Sequence, residues 1–79
     1  MKTILYFSST WCAPCKTFGP QLQSSGLPFT KIDVDEDPDT SSQYNVRSIP
    51  TVVMLENGQE FRRFVGTQSI QTLKDAYNG

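Results

Sequence analysis

Ile4-Leu5-Tyr6-Phe7-Ser8-Ser9-Thr10-Trp11-Cys12-Ala13-Pro14-Cys15-Lys16 joins an apolar run to a pair of closely spaced cysteines, and its reading decides the fold. Lys2 to Phe7 is almost unbroken in apolar character, which suits a central strand buried on both faces. Pro14 suits the first turn of a helix, where its missing N–H would have no partner anyway, so a helix is predicted from about Ala13. Phe18 and Leu22 share one face of it. Gly19-Pro20 is expected to interrupt and kink it, and Ser24-Ser25-Gly26 to end it. Phe29 to Val34 reads as a second strand, reached through a crossover helix and therefore parallel to the first.

Working outward from this βαβ unit, Asp37-Pro38 is a cap followed by proline at the first helical position. It opens a short connecting helix to about Tyr44. Thr51 to Leu55 is a buried strand, Asn57-Gly58 a strong hairpin signal, and Gln59 to Val65 the partner strand. In that partner, Phe61 and Phe64 alternate imperfectly with Arg62 and Arg63, as an edge strand would. Ser69 to Tyr77 places Ile70, Leu73 and Tyr77 on one helical face, with Thr67 or Ser69 as its cap. The fold class is therefore α/β: a four-stranded mixed sheet with helices on both faces, in the order β, α, β, short α, β, β, α.

At 79 residues the chain is read as one domain over residues 1–79 with a nearly minimal core. Its 37 % hydrophobic and 19 % charged residues are globular in balance, and no segment reaches the roughly 20 apolar residues that cross a bilayer. The opening apolar run is too short for a signal peptide, so a soluble, cytoplasmic protein is expected. Lys and Arg total 7 against 8 for Asp and Glu, leaving no net field to attract nucleic acid or anionic lipid. The acidic run from Asp33 to Asp39 reads as a solvated loop and helix start.

Two cysteines are too few for a structural framework, and a bridge between them would close a loop too small to stabilise much. They are there for chemistry or for a metal. Zinc wants about four N or S ligands, and this chain has two sulfurs and no histidine, so it would need a dimer. A shared iron–sulfur cluster faces the same shortage. A dithiol redox centre fits C-x-x-C in a βαβ setting best. The thiolate is the nucleophile, and a sulfur at the positive end of a helix is favoured in its charged form. On that basis Cys12 is expected to be the exposed, acidified attacking thiol. Cys15, one turn inside, is expected to be the more buried resolving thiol.

Trp11-Cys12-Ala13-Pro14-Cys15-Lys16 resembles the thioredoxin active site, which reads Trp-Cys-Gly-Pro-Cys-Lys. The resemblance continues through Pro20, Lys31 to Asp35, Pro38, Tyr44-Asn45-Val46-Arg47-Ser48-Ile49-Pro50-Thr51, Asn57-Gly58 and Val65-Gly66. It implies a thioredoxin-like fold without the amino-terminal strand and helix of full-length members, and a cis peptide bond at Ile49-Pro50 opposite the sulfurs. It also implies a docking surface of Trp11, Ala13, Pro14, Ile49, Pro50, Gly66 and Thr67. The activity implied is protein disulfide reduction by a monomer with no bound cofactor, fed by a thioredoxin reductase and serving disulfide-containing clients, a ribonucleotide reductase among them. Two alternatives stand beside it: a glutathione-linked, glutaredoxin-like reductase, and a thioredoxin-like binding module with a secondary redox role.

Three departures from the family pattern matter. Besides the missing amino-terminal elements, Ala13 stands where the family has glycine; with no histidine in the chain, that points to a reductant. Tyr6 stands where the family has a buried aspartate beside the resolving cysteine, while the ammonium neighbour remains as Lys31. Lys31 reads equally as a surface lysine. The proton of Cys15 then leaves through water or through a carboxylate such as Asp33 or Asp35.

Overall fold

A strand apolar on both faces belongs in the middle of a sheet, and Lys2–Ser8 (β1) is paired with another strand on both edges. The computed structural model describes residues 1–79. It continues through α1 (Ala13–Ser24), β2 (Thr30–Asp33), α2 (Pro38–Gln43), β3 (Thr51–Glu56), β4 (Gln59–Val65) and α3 (Ile70–Asn78). The strand order is β2-β1-β3-β4. β1 runs parallel to β2, with Tyr6 opposite Lys31, and antiparallel to β3, with Tyr6 opposite Val52. β2 is shorter than the sequence suggests, although the Val34 N–H still donates to the Ser8 carbonyl at 2.9 Å.

Because side chains alternate along a strand, the two central strands β1 and β3 each supply two cores. Ile4, Tyr6, Val52 and Met54 pack with Phe18 and Leu22 of α1 and Leu73 of α3. Leu5, Phe7, Val53 and Leu55 pack with Ile32 on the other face, closed by Val34, Tyr44, Val46 and Ile49.

α1 continues as one helix through Gly19-Pro20, contrary to the expected interruption. Pro20 removes a single backbone bond. It is exposed, so the freed carbonyl can be hydrated, and buried Phe18 and Leu22 hold the helix on either side. Gly19 lets this helix lie close to β1: a Cβ there would stand 3.3 Å from the Tyr6 hydroxyl. The helix stops at Ser25, followed by Gly26 at φ 81°.

The imperfect alternation in β4 has a specific cause. Met54 faces Arg62 but Leu55 faces Glu60, so the register skips Phe61 in a β-bulge. The bulge brings Glu60 and Arg63, three apart, to one face, where Arg63 Nε donates to Glu60 Oε2 at 2.9 Å. Asn57 and Gly58, at φ 53° and 87°, make the hairpin turn with the signs a type I′ turn requires. Asp37 caps α2, accepting from the Thr40 N–H at 3.1 Å. Ser69, rather than Thr67, caps α3 through the Thr72 N–H, also at 3.1 Å. At the far end of α3, Lys2 Nζ donates to the Tyr77 carbonyl and lies 5.6 Å from the rings of both Phe61 and Tyr77.

Candidate active site

β1 delivers the chain to the end of the sheet, and the turn through Thr10-Trp11 reverses it into α1. Cys12 is the N-cap, with extended backbone (φ −83°, ψ 106°). Its Sγ accepts the Cys15 N–H at 3.3 Å, occupying the place that a serine or aspartate oxygen takes at other helix starts. Cys12 and Cys15 are joined as a disulfide, with Cα atoms 5.3 Å apart.

One expectation is corrected here. Cys12 is not the exposed member of the pair: it is 4 % accessible against 6 % for Cys15. A sulfur that caps its own helix and bonds its partner is folded back on the first turn. The surface around it belongs to its neighbours, with Trp11 67 % accessible and Ala13 and Pro14 exposed.

Trp11 is nonetheless tied down, its indole N–H donating to Asp35 Oδ2 at 2.6 Å. The acidic run is thus more than a solvated loop. Asp33 Oδ1 accepts the backbone N–H groups of Asp35 at 2.8 Å and Glu36 at 3.3 Å, which shapes the turn that presents Asp35. Asp35 is the partner that reasoning from sequence missed. Nothing in a run with Asp33, Asp35, Glu36, Asp37 and Asp39 marks one carboxylate for an indole.

The bond between Ile49 and Pro50 is cis, as the resemblance implies. Pro50 is buried, and its carbonyl accepts the Gly66 N–H at 2.8 Å, so the Ile49-Pro50 and Gly66-Thr67 segments are held together. Gly66 has φ 89°, a conformation that favours glycine. Thr67 is exposed, whereas the Ile49 side chain is half-buried against the second core.

Lys31 shares a cavity with Cys15. With Tyr6, Lys16 and Phe29 they line a space of about 310 Å³. Tyr6 is 1 % accessible, and its hydroxyl lies 3.4 Å from the Cys15 carbonyl. Burial pushes its pKa above the ordinary tyrosine value. No three His, Cys, Asp or Glu side chains converge as a metal site would require, and no helix is long and apolar enough to cross a membrane.

A disulfide-forming cysteine pair at the start of a helix, in a chain that also holds a cis-proline, invites comparison with known proteins. The family model described as Thioredoxin matches residues 1–78. A thioredoxin of Mycoplasma genitalium is 36 % identical over 80 residues, covering 95 % of this chain and 78 % of its own length. One from Mycoplasma pneumoniae is 40 % identical over 70 residues, covering 82 % of this chain and 69 % of its own. Among solved structures, a mutant thioredoxin from Halobacterium salinarum superposes with a TM-score of 0.90 at 32 % identity, over 98 % of this chain and 72 % of its own. Oxidised mitochondrial thioredoxin 3 of Saccharomyces cerevisiae superposes at 0.82 with 33 % identity, over 98 % of this chain and 76 % of its own.

Proposed function

The chain belongs to the thioredoxin family and is a thiol–disulfide oxidoreductase, and on that premise we propose that it is a protein disulfide reductase using Cys12 to attack and Cys15 to resolve. The observation that carries this reading is the Cys12 sulfur at the N-cap of α1, accepting a backbone N–H at the positive end of the helix. In the reduced protein that setting favours the thiolate.

The Cys12 thiolate attacks one sulfur of a client disulfide, and the other sulfur leaves with the electron pair and takes up a proton. Cys15 then loses its proton and attacks Cys12 Sγ, releasing the client's second thiol and leaving the Cys12–Cys15 disulfide. Two electrons from a separate donor return the pair to the dithiol, so the cycle needs no bound cofactor. The exposed residues Trp11, Ala13, Pro14 and Thr67, with the Ile49-Pro50 and Gly66 backbone, form the surface that receives the client. The donor is a flavin-dependent thioredoxin reductase, which the Trp-Cys-x-Pro-Cys motif fits. Clients are proteins with accessible disulfides, ribonucleotide reductase being one to try. Residues 1–79 act as a single cytoplasmic, monomeric domain.

Catalytic amounts of the protein should accelerate insulin reduction by dithiothreitol, and Cys12→Ser should abolish the acceleration. Cys15→Ser should instead accumulate client proteins in mixed disulfides on a non-reducing gel. No acceleration by the wild type would contradict the reductase reading, and equal turnover with glutathione alone would contradict the assigned donor.

A further inference from the structure

The cavity that Cys15 lines has no part in the cycle as written, yet its chemistry is specific. Lys16, Pro20, Gln23 and Lys31 on its rim are exposed, so a space of about 310 Å³ is reached by solvent and is large enough for several waters. Its charged and titratable lining comes from every element around it: Tyr6 from β1, Lys16 from α1 and Lys31 from β2, with no carboxylate. Tyr6 and Lys31 are register partners across the parallel pair. The two carboxylates the sequence offered as proton acceptors are engaged elsewhere, Asp33 with the amides of Asp35 and Glu36, and Asp35 with the Trp11 indole. The Tyr6 hydroxyl approaches the Cys15 carbonyl and is kept protonated by burial.

We propose that Cys15 releases its proton directly to water in this cavity, with Lys16 and Lys31 favouring the thiolate and the Tyr6 phenol taking no proton. The proposal rests on the resolving role assigned to Cys15. The Cys15 S–H bond breaks with its electron pair left on sulfur. The proton goes to hydroxide or water, and the thiolate attacks Cys12 Sγ while the client sulfur leaves as a thiolate and is protonated by solvent. With no carboxylate in the lining, the step runs through a wet cationic pocket.

The test is a stopped-flow reaction of the reduced protein with one equivalent of an aromatic disulfide that releases coloured thionitrobenzoate. Cys12 attack liberates the first equivalent and Cys15 attack the second. The second phase should rise about tenfold per pH unit to one plateau, as a single thiol ionising to water requires. Replacing both lysines, Lys16→Gln with Lys31→Gln, should move that inflection to higher pH and slow the second phase near neutral pH about three- to tenfold. Tyr6→Phe, which keeps the ring and its packing, should leave the inflection where it is. A second inflection in the wild type, a tenfold slowing in Tyr6→Phe, or an unmoved inflection in the double lysine variant would each overturn the proposal. Cys15→Ser should show only the first phase; two phases there would overturn the resolving role itself.

Discussion

On one face of the sheet, Ile4, Tyr6, Val52 and Met54 lie under two helices and share a core with Phe18, Leu22 and Leu73. On the other, Leu5, Phe7, Ile32, Val53 and Leu55 lie under Val34 and under Tyr44, Val46 and Ile49, which follow the 6-residue α2. Every residue of the first core is at most 1 % accessible, whereas Leu5 at 9 % and Ile32 at 8 % keep some contact with water. The difference tracks function. α1 carries Cys15 and is capped by Cys12, and Phe18 and Leu22 fix that helix to the sheet, so the sulfur at its N-cap sits on the better-packed half of the molecule. The thinner face carries Ile49, which precedes the cis-proline, and Val34, at the start of the acidic loop.

The sharpest way to break this comparison is to cut a side chain from each core. Leu22→Ala should cost about 3–5 kcal/mol, since the site is fully enclosed and a cavity remains, whereas Ile32→Ala should cost about 2 kcal/mol at its partly wetted edge. Urea unfolding midpoints measure both, and equal losses would erase the contrast. The close approach of α1 to β1 is probed by Gly19→Ala. Alanine is worth about 1 kcal/mol over glycine in a helix, but here its Cβ meets the Tyr6 hydroxyl. The gain should therefore be small in the wild type and emerge in a Tyr6→Phe background, a non-additivity that a double-mutant cycle reads directly.

On the thinner face, Asp37→Ala should cost about 1 kcal/mol by removing the cap of α2, with the cysteine chemistry unaffected. The smallest effect belongs to the Glu60–Arg63 pair, exposed at the hairpin. The Arg63 side chain holds the Glu60 carboxyl below its ordinary value. Its contribution is therefore present above the unfolded glutamate value of about 4.3 and fades as pH falls through the lower folded one. Glu60→Gln should cost no more than about 1 kcal/mol near neutral pH and nothing once the carboxyl is protonated.

Much of this architecture was legible because the signals are local. The unbroken run at Lys2 to Phe7 announced a central strand, Pro14 the start of α1, Asn57-Gly58 the hairpin, and the caps at Asp37 and at Thr67 or Ser69 the two other helices. What escaped depends on distant partners. The bulge at Phe61 is set by the register against Met54 and Leu55, and the continuity of α1 past Pro20 by the packing of its buried face. The Trp11–Asp35 bond joins residues 24 apart through a turn whose shape no dipeptide specifies. The low accessibility of Cys12 follows from its double engagement as cap and as disulfide partner, which spacing alone does not reveal. The cis bond at Ile49-Pro50 came from the family resemblance, not from local chemistry.

The account turns on Cys12 being a thiolate because it caps α1, and the pH dependence of its alkylation by iodoacetamide in reduced Cys15→Ser protein tests that most directly. The account predicts half-maximal reactivity clearly below the roughly 8.5 of a free cysteine. A midpoint at or above that value would contradict it.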